Sequence, residues 1–283
     1  MTAKTAFAKY EGTGNDFIIV EDLAEEISIA PDAVAALCER RFGIGADGLM
    51  LIRRSRLASF RMDFYNADGT RAEMCGNGIR CFAKYLHDFG LIKDLSIDIE
   101  TGAGAKAVEL IVDGNRAVGA SVDMGRPELR AERIPVNASL GLENEAEVTL
   151  GSSAFEGVCV SMGNPHFVVF IDDLRSAPIA DVGPMIENHP AFPNKTNVEF
   201  AKVLSNDELE LRVWERGVGE TLACGTGACA AAVAANLKGF AGRRVKVNLP
   251  GGSLVVEWTG EGNVLLYGPA RMVFTGSVDL NDF

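Results

Sequence analysis

The sequence predicts an α/β (α+β) chain built as two like domains by internal duplication. Met74-Cys75-Gly76-Asn77-Gly78 and Ala223-Cys224-Gly225-Thr226-Gly227 each lead from a cysteine and a glycine into a helical pattern. That pattern is Phe82-Ala83-Lys84-Tyr85-Leu86 after the first and Ala230-Ala231-Ala232-Val233-Ala234-Ala235 after the second. Gly14-Asn15-Asp16-Phe17-Ile18-Ile19-Val20 is matched by Gly163-Asn164-Pro165-His166-Phe167-Val168-Val169. Asn15 and Asn164, Asn66 and Glu215, and Cys75 and Cys224 all lie 149 residues apart. One shift across separated landmarks indicates a duplicated module, with the domains expected at 1–124 and 125–269.

Taken in order, residues 5–10 and 16–22 read as a hairpin around Glu11-Gly12-Thr13-Gly14-Asn15. A short amphipathic helix is expected over 32–41. Gly43-Ile44-Gly45-Ala46-Asp47-Gly48 matches G-x-G-x-x-G, but a helix precedes it and a strand follows, the reverse of the dinucleotide-binding order, so it reads as a glycine-rich connection. Residues 61–65 form a strand that ends in the turn Asn66-Ala67-Asp68-Gly69-Thr70. A helix from Cys75 runs to about Gly90, and short strands fill 95–124. The stretch 125–144, with Pro127 and Pro135, is irregular and is the expected domain boundary. Strands follow at 145–150, 157–162 and 166–172, then a proline-spaced segment, 184–193. Strands at about 196–203 and 208–215, a helix over 224–238 and strands to about 275 complete the chain.

Bulk properties exclude several functions. With 47% hydrophobic and 23% charged residues over 283 positions, the chain is an ordinary globular one. A formal net charge of −12 argues against a nucleic-acid partner. No apolar run approaches the roughly 18 residues of a membrane span, and no signal-like apolar stretch follows Met1, so no membrane role is expected and the cytoplasm is the expected compartment. Six cysteines (38, 75, 81, 159, 224, 229) are too few for a disulfide scaffold in a chain this long.

Cys75 and Cys224 sit where a helix begins. Unpaired N–H groups and the helix dipole there favour negative charge and are expected to lower a thiol pKa. At about 100° per residue, Cys81 and Cys229 point to other sides of their helices and read as packing residues, as do Cys38 and Cys159. The spacings suit neither zinc nor a C-x-x-C redox pair, so no metal is expected. The Gly-(Asn/Thr)-Gly that follows each cysteine allows close approach to free backbone donors. Two such termini meeting at one cleft would cradle a carboxylate, flanked by Asn15, Asn66, Asn164, His166, Glu215 and Arg216. One thiolate and one thiol on opposite faces of an amino acid can remove and return its α-proton, inverting the centre. No lysine sits in a pyridoxal-phosphate context, and the scheme needs no cofactor.

The segments Gly12–Phe17, Tyr65–Gly69, Glu73–Gly78, Ser161–His166, Glu215-Arg216-Gly217 with Gly219-Glu220-Thr221, and Ala223–Cys229 resemble diaminopimelate epimerases, in order over nearly the whole chain. The resemblance implies a cofactor-independent two-base epimerase interconverting LL- and meso-diaminopimelate in lysine and peptidoglycan-precursor synthesis. It implies two pseudo-symmetric domains, each a mostly antiparallel sheet wrapped around a central helix, with a C-terminal segment of about 270–283 packing back on the first, and a homodimer. Position by position, it makes Cys75 and Cys224 the bases and assigns the reacting carboxylate to the backbone of Gly76, Asn77, Gly225 and Thr226. Glu215 and His166 would orient the reacting amine, Asn15 would contact substrate, and Asn66, Asn164, Asn197 and Arg216 would hold the distal amino-acid end. Arg216 suits a carboxylate through bidentate pairing. Glu11 departs from the family, which usually has histidine there, and Thr226 often appears as serine. A related racemase for proline, hydroxyproline or histidine is the alternative within the enzyme class, and a thiol-pair redox sensor is the alternative outside it.

Overall fold

A computed structural model describes residues 4–130, 132–137 and 144–283. Met1 to Ala3 and much of the expected boundary stretch, residues 131 and 138–143, lie outside the described residues. In chain order the elements are β1 (Thr5–Gly12), β2 (Asn15–Glu21), α1 (Pro31–Cys38), β3 (Gly48–Arg54), β4 (Phe60–Asn66), β5 (Arg71–Ala72), α2 (Gly76–Asp88), β6 (Ser96–Thr101), β7 (Gly104–Asp113) and β8 (Arg116–Asp123). There follow β9 (Glu145–Leu150), β10 (Ser153–Ser161), β11 (Pro165–Phe170), α3 (Ile179–Glu187), β12 (Asn197–Ser205), β13 (Glu208–Glu215), β14 (Gly219–Thr221), α4 (Gly225–Leu237), β15 (Arg244–Leu249), β16 (Gly252–Glu257), β17 (Leu265–Pro269) and β18 (Arg271–Val278). Two compact units result: Met1–Asp123 with Tyr267–Phe283, and Met124–Leu266.

In the first unit, β1 and β2 form a hairpin whose last pair is Gly12 and Asn15. Its two-residue turn holds Thr13 at φ 58° and Gly14 at φ 79°, the positive angles that match strand twist in tight hairpins. β2 runs parallel to β3, with Phe17 opposite Gly48, and β3 runs antiparallel to β4. β6, β7 and β8 are antiparallel neighbours, and β18 returns antiparallel to β1. The strands enclose α2, which packs on β8, β1, β2 and β7 and is buried from Gly76 to Leu86. Burial of its polar residues is offset by hydrogen bonds. Arg80 donates to Gly76 O, Thr13 Oγ1 and Pro269 O at 2.9, 2.9 and 3.2 Å, and Lys84 donates to Ala117 O at 2.6 Å and Asp88 at 3.0 Å.

The second unit repeats the plan. β9, β10 and β11 are antiparallel, β11 runs parallel to β12 with His166 opposite Asn197, and β12 runs antiparallel to β13. α4 packs on β10, β11, β12, β13, β15 and β16. Its alanine run needs no polar stripe: helix propensity is high, and a helix that is apolar all round belongs inside. Each unit is thus a mostly antiparallel sheet around a central helix.

Two local expectations need correction. The first helix ends at Cys38 rather than at 41, because Glu39 already has extended backbone (φ −63°, ψ 129°). The proline-spaced stretch from 184 contains the end of a helix, α3, with Pro184 inside it. Ile179 and Ile186 of α3 are buried in the unit's core, so packing retains a helix that proline disfavours. The G-x-G-x-x-G stretch joins α1 to β3, as its order in the sequence requires.

Candidate active site

Each cysteine caps its helix in the same way. Cys75 has φ −138° and ψ 117°, Cys224 φ −124° and ψ 116°, and each sulfur accepts the N–H of the residue three further on, Gly78 or Gly227, at 3.4 Å. The sulfur takes the place that a serine or aspartate oxygen fills at an ordinary helix start. Cys75 is partly exposed, and Cys224 is buried at 6% exposure. Cys81 and Cys229 are fully buried in the helix bodies, where burial pushes the Cys81 thiol up.

In the first unit the groups gather around Asn15. Its Oδ1 accepts from Cys75 Sγ at 3.6 Å and from Asn77 Nδ2 at 3.5 Å, while its Nδ2 donates to Asp47 Oδ2 at 2.7 Å. A carboxylate has no hydrogen to give, so Asp47 fixes which way the Asn15 amide faces. Asp47 and Asp16 both accept from Arg40, and Asp16 also pairs with the buried Lys9 at 2.7 Å. Burial opposes the charge on Asp16, yet the hydrogen bonds from Arg40 and Lys9 hold its pKa down to about 2. Asn66 is the last residue of β4, and its amide donates across the following turn to Thr70 Oγ1 at 3.0 Å. Glu11 accepts from Gly14 N–H at 3.3 Å and from Arg271 at 3.0 Å, so it braces the hairpin turn.

In the second unit a continuous chain of contacts leads to Cys224. Glu199 Oε1 lies 2.7 Å from His166 Nδ1, His166 Nε2 lies 3.0 Å from Asn164 Oδ1, Asn164 Nδ2 donates to Thr226 Oγ1 at 3.3 Å, and Thr226 Oγ1 lies 3.4 Å from Cys224 Sγ. Asn197 is buried and braces the backbone: its amide donates to Pro165 O at 2.8 Å and accepts Arg216 N–H at 2.9 Å. The Arg216 guanidinium donates to Asn194 O at 3.1 Å and is otherwise presented at the surface. Glu215 accepts from Thr221 Oγ1 at 2.6 Å.

The expected fall in thiol pKa does not occur at Cys224. Burial, together with the Glu215 and Glu199 carboxylates, pushes this thiol well above its ordinary range, and hydrogen bonds from Thr226 and Gly227 do not reverse that. Desolvation here outweighs the helix N-terminus. Cys224 is therefore a thiol at neutral pH in the free protein.

Two residues of these chains escape the sequence reading. Asp47 reads there as part of a glycine-rich loop, and Glu199 as one residue of the strand Val198-Glu199-Phe200-Ala201. A glutamate amid apolar strand residues was the available signal. Strand alternation also puts it on the face of Asn197, two residues earlier.

The model of the family described as diaminopimelate epimerase matches residues 7–130 and 158–273. A diaminopimelate epimerase of Moorella thermoacetica is 48% identical over 277 residues, covering 97% of this chain and 99% of that one. One of Leptospira biflexa is 44% identical, covering 98% and 100%. Among solved structures, a hydroxyproline epimerase from Agrobacterium vitis shares the fold with a TM-score of 0.70 at 13% identity, covering 98% of this chain and 94% of that one. A PhzF-family phenazine biosynthesis protein of Bacillus anthracis does so with a TM-score of 0.70 at 17% identity, covering 98% and 99%. Similarity at this level runs from end to end and spans both capped helices, and on that ground the chain belongs to the diaminopimelate epimerase family.

Proposed function

We propose that this protein interconverts LL- and meso-diaminopimelate without a cofactor, with one cysteine of each unit working on the same α-carbon. One sulfur removes the α-proton as thiolate, and the other, as thiol, delivers a proton from the opposite side. The observation that carries the reading is the repeated helix start: two thiols, each on an N-terminus whose backbone donors favour an anion. The N–H groups of Gly76, Asn77, Gly225 and Thr226 would hold the reacting carboxylate and stabilise charge that builds up on it as the proton leaves. Glu215 and His166 would orient the amine, Asn15 would contact substrate, and Asn66, Asn164, Asn197 and Arg216 would shape the distal site. Since both Asn197 polar side-chain atoms already serve the backbone, its part in distal recognition is to set the Arg216 main chain.

The reaction belongs to lysine and peptidoglycan-precursor synthesis, and the working form is proposed to be a cytoplasmic homodimer. Membership in the family supports both statements. In addition, no helix among the described residues is long and apolar enough to cross a membrane, and β18 exposes Met272, Val273 and Phe274. Sedimentation of the purified protein should give twice the chain mass; a monomer at working concentrations would remove the dimer from the proposal.

Incubation with LL-diaminopimelate in deuterium oxide should yield meso product deuterated at the α-carbon. If that substrate does not exchange while proline, hydroxyproline or histidine does, the substrate assignment fails.

A further inference from the structure

The two units place different side chains at one equivalent position. With the 149-residue shift, His166 corresponds to Phe17, Glu199 to Met50 and Gly227 to Gly78. The strand registers around these two positions agree. Met50 pairs with Ile19 and Phe64, and Glu199 pairs with Val168 and Val213, which are the shifted equivalents. The same neighbour touches both. A Cβ added to Gly78 would meet Met50 Cε at 2.3 Å and Phe17 Cζ at 3.5 Å, and one added to Gly227 would meet Glu199 Oε1 at 2.8 Å. Both pairs are buried, with Met50 and Glu199 at 0% exposure. An apolar Phe–Met pair therefore fills this place in the first unit, and packing alone does not call for a carboxylate and an imidazole in the second.

We propose that Glu199 is a positioning residue: through His166 it fixes the Asn164 amide so that the hydrogen-bond chain donates toward Cys224 Sγ. The derivation starts from charge. A carboxylate fully out of water is kept only if its charge is compensated, and the hydrogen-bond partner of its Oε1 is His166 Nδ1. A net-neutral pair holds either carboxylate with imidazolium, or carboxylic acid with neutral ring. With the acid's hydrogen on Oε1, the oxygen that faces the ring, since Oε2 is buried with nothing to receive it, His166 Nε2 carries a hydrogen in both states. Asn164 must then turn its Oδ1 to the ring, which sends its Nδ2 hydrogens to Thr226 Oγ1. The Thr226 hydroxyl hydrogen is thereby left to point at Cys224 Sγ, which also receives the Gly227 N–H. Negative charge forming on that sulfur would meet two donors already aimed at it. With Nδ1 protonated and Nε2 bare, every link would reverse and Thr226 would accept from the thiol.

The link to turnover rests on the epimerase reading, but the link to His166 does not. The chain has three histidines, so nitrogen-15 labelling of the imidazoles gives a spectrum simple enough to assign with the His166→Phe variant. In the wild-type protein His166 Nε2 should be found protonated; a bare Nε2 overturns the proposal whatever the activity. Glu199→Met should abolish that preference and lower kcat for α-proton exchange by about tenfold or more, with KM changed less than about threefold. Unchanged kcat and ring state in a folded Glu199→Met protein would also overturn it. The double variant His166→Phe/Glu199→Met, which copies the first unit, should melt within a few degrees of wild type yet remain slow. Melting far below wild type would show that the pair serves stability instead. Absence of exchange in the wild type would sink the epimerase reading and leave the histidine measurement standing.

Discussion

The two cysteines share a backbone and differ in everything beyond it. Each caps a buried helix with almost the same dihedral angles, and each sulfur takes the same N–H three residues on. Around Cys75 the side-chain hydrogen bonds run away from the sulfur. The thiol donates to Asn15, whose amide is held that way by Asp47, and Asp47 is in turn held by Arg40 near the surface. Around Cys224 the neighbouring asparagine faces the other way, set by a buried histidine and glutamate. The difference teaches that the repeated helix start supplies the cap in both units, while the unlike residues behind it give opposite hydrogen-bond polarity. In the proposed two-base reaction one sulfur takes a proton while the other gives one, and the roles exchange in the reverse direction.

The comparison breaks first if the sulfurs are not both required. Cys75→Ala and Cys224→Ala should each lower epimerisation by about 10^3-fold or more, read from deuterium incorporation and product stereochemistry. Near-normal turnover in either variant would make one cap merely structural.

Next in size is the reciprocal of the Glu199 experiment. Met50→Glu puts a carboxylate among Phe17, Phe64 and Gly78, with Phe17 in the place that His166 holds beside Glu199. Destabilisation of about 3 kcal/mol or more is expected in denaturant titration, because an unpaired buried charge has nothing to offset its lost hydration. A stable Met50→Glu protein would mean that the first unit tolerates charge as well as the second.

The protonation of Cys224 gives a pH test. Its thiol pKa is raised by burial and by Glu215 and Glu199, so alkylation by iodoacetamide should be slow near pH 7 and climb as pH passes 9. Peptide mass spectrometry would follow Cys224 separately from the other thiols. A rate that is already on its plateau at pH 7 would contradict this.

The smallest expected effect concerns the charged end of the first chain. The folded pKa of Asp16, about 2, lies below the unfolded value, so its stabilisation is present above roughly pH 4 and fades as pH falls toward 2. Asp16→Asn should cost about 1–2 kcal/mol at neutral pH and progressively less as pH falls to about 2 and below, measured by chemical denaturation at each pH. A difference that is constant with pH would assign the effect to shape instead of charge.

Much of this protein was legible in the linear chain because its signals are local or periodic. The hairpin at Thr13-Gly14, the helix starts at Cys75 and Cys224 and the strands on either side follow from turn chemistry, capping residues and alternation. The 149-residue shift exposed the duplication, and the motif order pointed to the family. Helix α3 was missed because Pro184 is a local veto that core packing overrode.

The sequence alone therefore determined the repeat, the two capped helices and the residues that sit beside them. Only the tertiary structure decided what surrounds each sulfur, because that depends on which residue of one strand lies opposite which residue of the next. Glu199 meets His166 through the parallel register of β11 and β12, although the two lie 33 positions apart in the chain. The high thiol pKa of Cys224 has the same origin, since desolvation and the nearness of two carboxylates are properties of packing in three dimensions.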